Sequence, residues 1–186
     1  MLQKIISYLI FLFHSKNEHG VHSPFVFDLV TKCFYDKTKF PEYSLLTSPS
    51  KRAQLLFRII NYFKPNFILE IGNSNKLNTK IFSTEIISFE EFQKNKLSNN
   101  NSAFDLVYFN KNESQQTTLA YFELLLPTNT NDAVWIINDI HKSKENENTW
   151  EIIKKHPKVK VTIDTFHFGM VFFRAEQEKE HFVIRV

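Results

Sequence analysis

The chain has 186 residues, 42% of them hydrophobic and 23% charged, enough apolar material for one domain with its own core. A net charge of +3, scattered along the chain, is too small for a nucleic-acid footprint, and a single cysteine, Cys33, cannot close an internal bridge, which points to a reducing, cytoplasmic setting. Three glycines, where about 13 would be usual at ~7%, exclude a phosphate-cradling P-loop and an intact G-x-G-x-x-G fingerprint.

Lys4 precedes the apolar run Ile5 to Phe13, which is too short to span a bilayer and lacks the small residues of a cleavage site. A helix docked on the rest of the chain is the favoured expectation, with a membrane surface or a partner as the alternatives. Ser23-Pro24 and Ser48-Pro49 both read as an N-cap followed by proline at the first helical position. Apolar stripes follow each, Val26, Leu29, Val30, Cys33 and then Leu56, Ile59, Ile60, Phe63, predicting helices over 24–35 and from Pro49 to before Pro65.

From Phe67 the period changes. Phe67 to Ile71, Ile86 to Phe89, Phe104 to Phe109 and Ala133 to Ile137 are short apolar runs of the kind that form buried strands. Helical segments are expected near 114–126 and 149–155, each closed by a proline. Three strand-like runs end the chain, Val159 to Thr165, Phe168 to Arg174 and Phe182 to Val186, with Gly169 expected in a tight connection and antiparallel pairing at one edge. The expected fold is α/β: a Rossmann-like, mostly parallel sheet over 66–186, antiparallel C-terminal strands, and an N-terminal helical cap over 1–65.

In such sheets ligands bind beyond the carboxyl ends of the strands, where strand order reverses. Those ends carry Glu70 and Gly72, Glu90, Asn110, and Asn138 to His141. Glu90 lies 18 residues beyond Gly72 and suits a carboxylate accepting both hydroxyls of a ribose; an acid favoured by the dipole of the following helix explains its place equally well.

The motifs I-L-E-I-G (68–72), F-D-L-V-Y-F-N (104–110), L-A-Y-F-E-L-L-L-P (119–127), A-V-W-I-I-N-D-I-H (133–141) and V-T-I-D-T-F-H-F-G-M-V-F-F-R (161–174) resemble class I S-adenosylmethionine-dependent methyltransferases. The leader H-G-V-H-S-P-F-V-F (19–27) looks like a branch similar to small-molecule O-methyltransferases. The resemblance implies S-adenosylmethionine as cofactor, held by Glu70, Gly72, Ser74, Glu90 and Asn110, and an unknown small molecule as methyl acceptor. It leaves Asp139 and His141 as the pair near the substrate mouth, His141 as base and Asp139 as its orienter, against the plainer reading of a turn-capping Asp and a solvent-facing His.

Three departures accompany the resemblance. The family's loop after the first strand usually carries further glycines, whereas here Asn73 to Asn78 follow Gly72. Only 13 residues separate Glu90 from Phe104, too few for the usual helix, strand and helix, so the family's third strand is expected to be missing. Amides, Asn110 and Asn138, stand where metal-dependent relatives carry acids, and no metal site is expected. The competing reading is a catalytically inactive module of the same fold, using its N-terminal helices for binding or homo-oligomerisation. No nucleic-acid partner is expected, and a membrane partner is the weakest of the alternatives.

Overall fold

The computed structural model describes residues 2–45, 50–72, 84–96, 103–110 and 114–186. Helix α1 (Leu2–His14) leads to α2 (Pro24–Leu29), where the Ser23 hydroxyl accepts the Val26 N–H and Pro24 fills the first turn; the helix then widens into a π turn over Val30–Phe34. Helix α3 (Lys51–Phe63) is capped by Ser50, whose hydroxyl accepts the Ala53 N–H, and stops at Lys64 with φ 45° ahead of Pro65. The start expected at Ser48-Pro49 therefore belongs to Ser50; those two residues lie outside the described ones.

Strand β1 (Phe67–Ile71) is followed by β2 (Glu85–Ser88), α4 (Phe89–Lys96), β3 (Leu106–Phe109), α5 (Gln115–Leu125), β4 (Val134–Asn138) and α6 (Lys144–Lys155). Strands β5 (Val161–Asp164), β6 (Phe168–Phe172) and β7 (Glu180–Val183) complete the sheet. Its order is β2-β1-β3-β4-β6-β5-β7. β1 pairs in parallel with both β2 and β3, β3 with β4, and β5 with β7; β6 alone runs antiparallel, between β4 and β5. This is the Rossmann-like arrangement the sequence predicts, and among the described residues α4 joins the β2 side to β3 without a further strand.

Residues of the central strands alternate between two cores, as the period of two demands. Ile68, Leu106, Tyr108, Val134, Ile136, Met170 and Phe172 meet Val26, Leu29, Cys33, Leu55 and Ile59 from α2, the π turn after it and α3. Leu69, Val107, Trp135, Ile137 and Val171 meet Phe92, Phe122, Leu125, Trp150 and Ile153 from α4, α5 and α6. α2, the π turn after it and α3 thus cover one face of the sheet, each buried large side chain contributing about 1.5–3 kcal/mol.

Two expectations are corrected. Gly169 does not sit in the connection but inside β6, opposite Ile137 and Asp164; the turn is Thr165 to His167, with Phe166 at φ 68°. Helix α6 begins five residues earlier than expected, because the Ser143 hydroxyl accepts the Asn146 N–H and Glu145 and Glu147 occupy the positive first turn. Among the described residues no helix is long and apolar enough to cross a membrane. α1 docks through Ser7, Tyr8 and Phe11, leaving Leu9, Ile10 and Phe13 exposed.

Candidate functional site

The chain leaves β1 for β2 on one side and returns to β3 on the other, so the crevice between the ends of β1 and β3 is the switch point of the sheet. Glu70 lies there near the end of β1, only 2% exposed, and Gly72 follows with φ 113°, a left-handed conformation that a side chain would strain. Asn110, immediately after β3, donates from Nδ2 to Glu70 Oε1 at 2.6 Å, while its backbone N–H bonds the Ile71 carbonyl at 2.9 Å. Asn138 at the end of β4 donates from Nδ2 to the Asn110 carbonyl at 2.9 Å, so one line of polar contacts joins three parallel strand ends. Glu70, Gly72 and Asn110 are brought together; Ser74 lies outside the described residues.

Glu90 is not at the end of a strand. The chain turns into α4 at Phe89, and Glu90 stands exposed in the first turn of that helix. The capping acid is its neighbour: Glu91 Oε2 accepts from both the backbone N–H and the hydroxyl of Ser88 at 2.8 Å, and the Ser88 hydroxyl accepts the Glu91 N–H at 3.2 Å. These bonds hold the Glu91 carboxyl below its ordinary range and leave the Glu90 carboxylate outside the cap. Ser88 pairs with Glu70 across β1 and β2, so Glu90 follows two residues beyond the level of Glu70.

Asp139 and His141 are not partners. Asp139, at φ 52°, takes Arg52 Nη1 at 2.8 Å on Oδ1, and the other Arg52 nitrogen, Nη2, bonds Asn138 Oδ1. Arg52 reaches this point from the first turn of α3, with its guanidinium 5.4 Å from the Phe168 ring centroid. His141 Nε2 lies 2.7 Å from Asp164 Oδ2, and Nδ1 lies 3.4 Å from Glu147 Oε1, which also receives the Ser7 hydroxyl at 2.5 Å. Burial alone would lower the His141 pKa, but Asp164 and Glu147 outweigh it and the net shift is upward. With both ring nitrogens turned to carboxylates, neither faces a substrate; the expected pairing fails because Asp139 is held by Arg52 of α3 and His141 by Glu147 and Asp164.

Arg52, Asp164, Glu147 and Ser7 were missed by sequence reasoning. Nothing in the spacing announces a contact between Ser7 and Glu147, 140 positions apart. Arg52 alone had a readable sign, a charge in the first turn of an otherwise apolar-striped helix.

This geometry, a parallel sheet with a buried acid and a left-handed glycine at its switch point and one antiparallel strand near the C-terminal edge, defines the Rossmann-like class to which methyltransferase folds belong. The sequence matches no protein-family model and no curated protein. In structure the chain is similar to an SAH-bound methyltransferase of Podospora anserina, with TM-score 0.51 and 12% identity over 78% of this chain and 87% of that one. It is also similar to a Klebsiella pneumoniae protein described as an O-methyltransferase, with TM-score 0.50 and 11% identity over 75% of this chain and 92% of that one. The likeness is one of fold: the chain has the class I methyltransferase fold that its motifs resemble.

Proposed function

We propose that the chain binds S-adenosylmethionine in the crevice between β1 and β3 and transfers its methyl group to a small molecule. The observation that carries this reading is the buried Glu70–Asn110 pair across the switch point, with Gly72 in a left-handed turn beside it. The donor set fits the group. Glu70 offers a carboxylate to the cofactor's ammonium end, Gly72 permits close approach of the backbone, and the exposed Glu90 offers two oxygens to a ribose diol. Bound there, the cofactor would supply an electrophilic methyl carbon on sulfur. Neighbouring strands are ~4.8 Å apart, so the end of β4 lies about 10 Å from that of β1, a separation that supports reading Asp139 and Arg52 as the acceptor side. The chain's part is alignment of the two partners and removal of a proton.

Differential scanning fluorimetry with S-adenosylmethionine tests this. At 100 times its dissociation constant a ligand adds ~2.7 kcal/mol, roughly 5–10 °C for a domain of this size. The shift is expected in the unsubstituted chain and lost in Glu70→Ala; no shift at millimolar cofactor overturns the reading.

A further inference from the structure

Two side-chain oxygens at the end of β4 point at one place, and a cation of the chain itself lies there. Asp139 Oδ1 takes Arg52 Nη1 at 2.8 Å and Asn138 Oδ1 takes Arg52 Nη2, so one guanidinium fork bridges two consecutive residues. The Arg52 stem arrives from the first turn of α3, and the guanidinium carbon lies over the Phe168 ring, 5.4 Å from its centroid. Phe168 is 1% exposed and has no room to move, so the charge is held from three sides while the Arg52 side chain stays 30% exposed.

The two amides belong to the same arrangement. Asn138 accepts from Arg52 on Oδ1 and donates from Nδ2 to the Asn110 carbonyl at 2.9 Å, while Asn110 donates from Nδ2 to Glu70 Oε1 at 2.6 Å. Each amide gives a hydrogen bond that an ionised carboxylate in its place has no proton to make. An acid at 110 would face the buried Glu70 carboxylate, and an acid at 138 would face a carbonyl oxygen; both contacts repel unless a cation lies between. A divalent metal, which metal-dependent relatives hold through acids at these positions, does not fit this donor set. One carboxylate and one amide oxygen face the place, and both are engaged by a group that cannot give up its charge. Among the described residues no three His, Cys, Asp or Glu side chains converge to supply another metal site.

We propose that the Asn138 and Asp139 oxygens form a cation seat whose resident ion is the Arg52 guanidinium, and that the seat admits a divalent metal only when Arg52 is removed. The seat stands on these contacts alone; placing it beside a methyl acceptor rests on the methyl-transfer reading. On that reading the charge an acceptor meets is a plane of N–H donors, more of them than the two oxygens already engaged can use. Its position is set by α3 and by Phe168, not by an exchangeable ion.

Manganese(II) is the probe, read on the full chain by thermal melts and by loss of the free ion's electron paramagnetic resonance signal. The unsubstituted chain is expected to show neither effect. Arg52→Met keeps an apolar stem against Phe168 and empties the seat. Adding Asn138→Asp gives two adjacent carboxylates and frees the Asn110 carbonyl, all hard oxygen ligands. The double variant is expected to bind the ion and to gain about 3–6 °C at ten times its dissociation constant. Arg52→Met alone is expected to gain less at the same concentration, and Arg52→Lys nothing, because an ammonium still occupies the seat. A variant that melts low or fails to fold is read by rescue, since the seat requires manganese to restore its melting transition. Manganese binding by the unsubstituted chain that Asp139→Asn abolishes overturns the proposal, as does a double variant neither bound nor rescued by the ion. The thermal shift with S-adenosylmethionine is read separately: its absence overturns the methyl-transfer reading and leaves the seat in place.

Discussion

His141 Nε2 and Asp164 Oδ2 stand 2.7 Å apart, and through the second ring nitrogen the same imidazole reaches Glu147 and so Ser7 of α1. The His141 ring stacks on Phe166 at 5.2 Å and 14°, and Phe166 in turn carries Tyr8 and Phe11. This imidazole is therefore the polar centre of the contact that holds α1.

Its pH dependence has a definite sign. The His141 pKa is raised in the fold, so its contribution is complete below the ordinary value of 6.5 and is lost as pH climbs through the raised value. Burial works to raise the Glu147 pKa, but bonds from Ser7 and His141 prevail and lower it, so its contribution is present above 4.5 and is lost as pH falls through the lowered value. Thermal melts of the unsubstituted chain and His141→Gln are expected to differ most near pH 6, by about 1–3 kcal/mol for hydrogen bonds to charged groups, and to converge at alkaline pH. A constant difference from pH 6 to 10 would contradict this.

Gly169 is required by packing. A Cβ built there would lie 2.8 Å from Trp150 Cζ3, 2.9 Å from Trp150 Cη2 and 3.0 Å from Ile140 Cγ2. Trp150 and Ile140 are 2% and 1% exposed, so neither has room to yield. Gly169→Ala is expected to lose ~1–3 kcal/mol in urea unfolding, with the m-value unchanged.

Trp135 is fully buried between Phe109, Phe122 and Phe173, and its indole N–H has no hydrogen-bond partner among the described residues. Trp135→Ala is expected to cost about 3–5 kcal/mol. Trp135→Phe removes the unsatisfied donor while opening a smaller void, and the two effects are expected to leave a change of ~1 kcal/mol or less. Chemical denaturation of both variants checks the contrast.

Cys33 is 1% exposed, and burial, opposed by Arg58, pushes its thiol up to about 12. Iodoacetamide at pH 8 is expected to leave it unlabelled in the native chain and to label it in denaturant, since the thiolate is the reactive form.

The strands were legible because four apolar runs, each ended by a polar or turn-forming residue, can only be buried, and the parallel order followed from the intervening helices. Gly72 and Asn110 were legible for the same reason, as the residues at which those runs stop, and Glu70 as the one acid inside the first run. What escaped was whatever depends on contacts between distant segments. Ser48-Pro49 mimicked the cap that Ser50 provides, and Glu90 was read as a strand end because a phenylalanine that opens a helix looks like one that closes a strand. His141 looked like the partner of Asp139 by proximity in the chain, whereas folding places an α3 arginine on one and a β5 carboxylate on the other.

Just past α1 the backbone of Lys16 forms a parallel bridge to Ile184, with the Lys16 N–H on the Val183 carbonyl at 2.8 Å and the Arg185 N–H on the Lys16 carbonyl at 3.2 Å. During synthesis Lys16 is made well before β7 and must wait for that strand before it can make this bond. Lys16 is thus among the later residues to find its native neighbours, and the bare edge of β7 stays available for mispairing until it does.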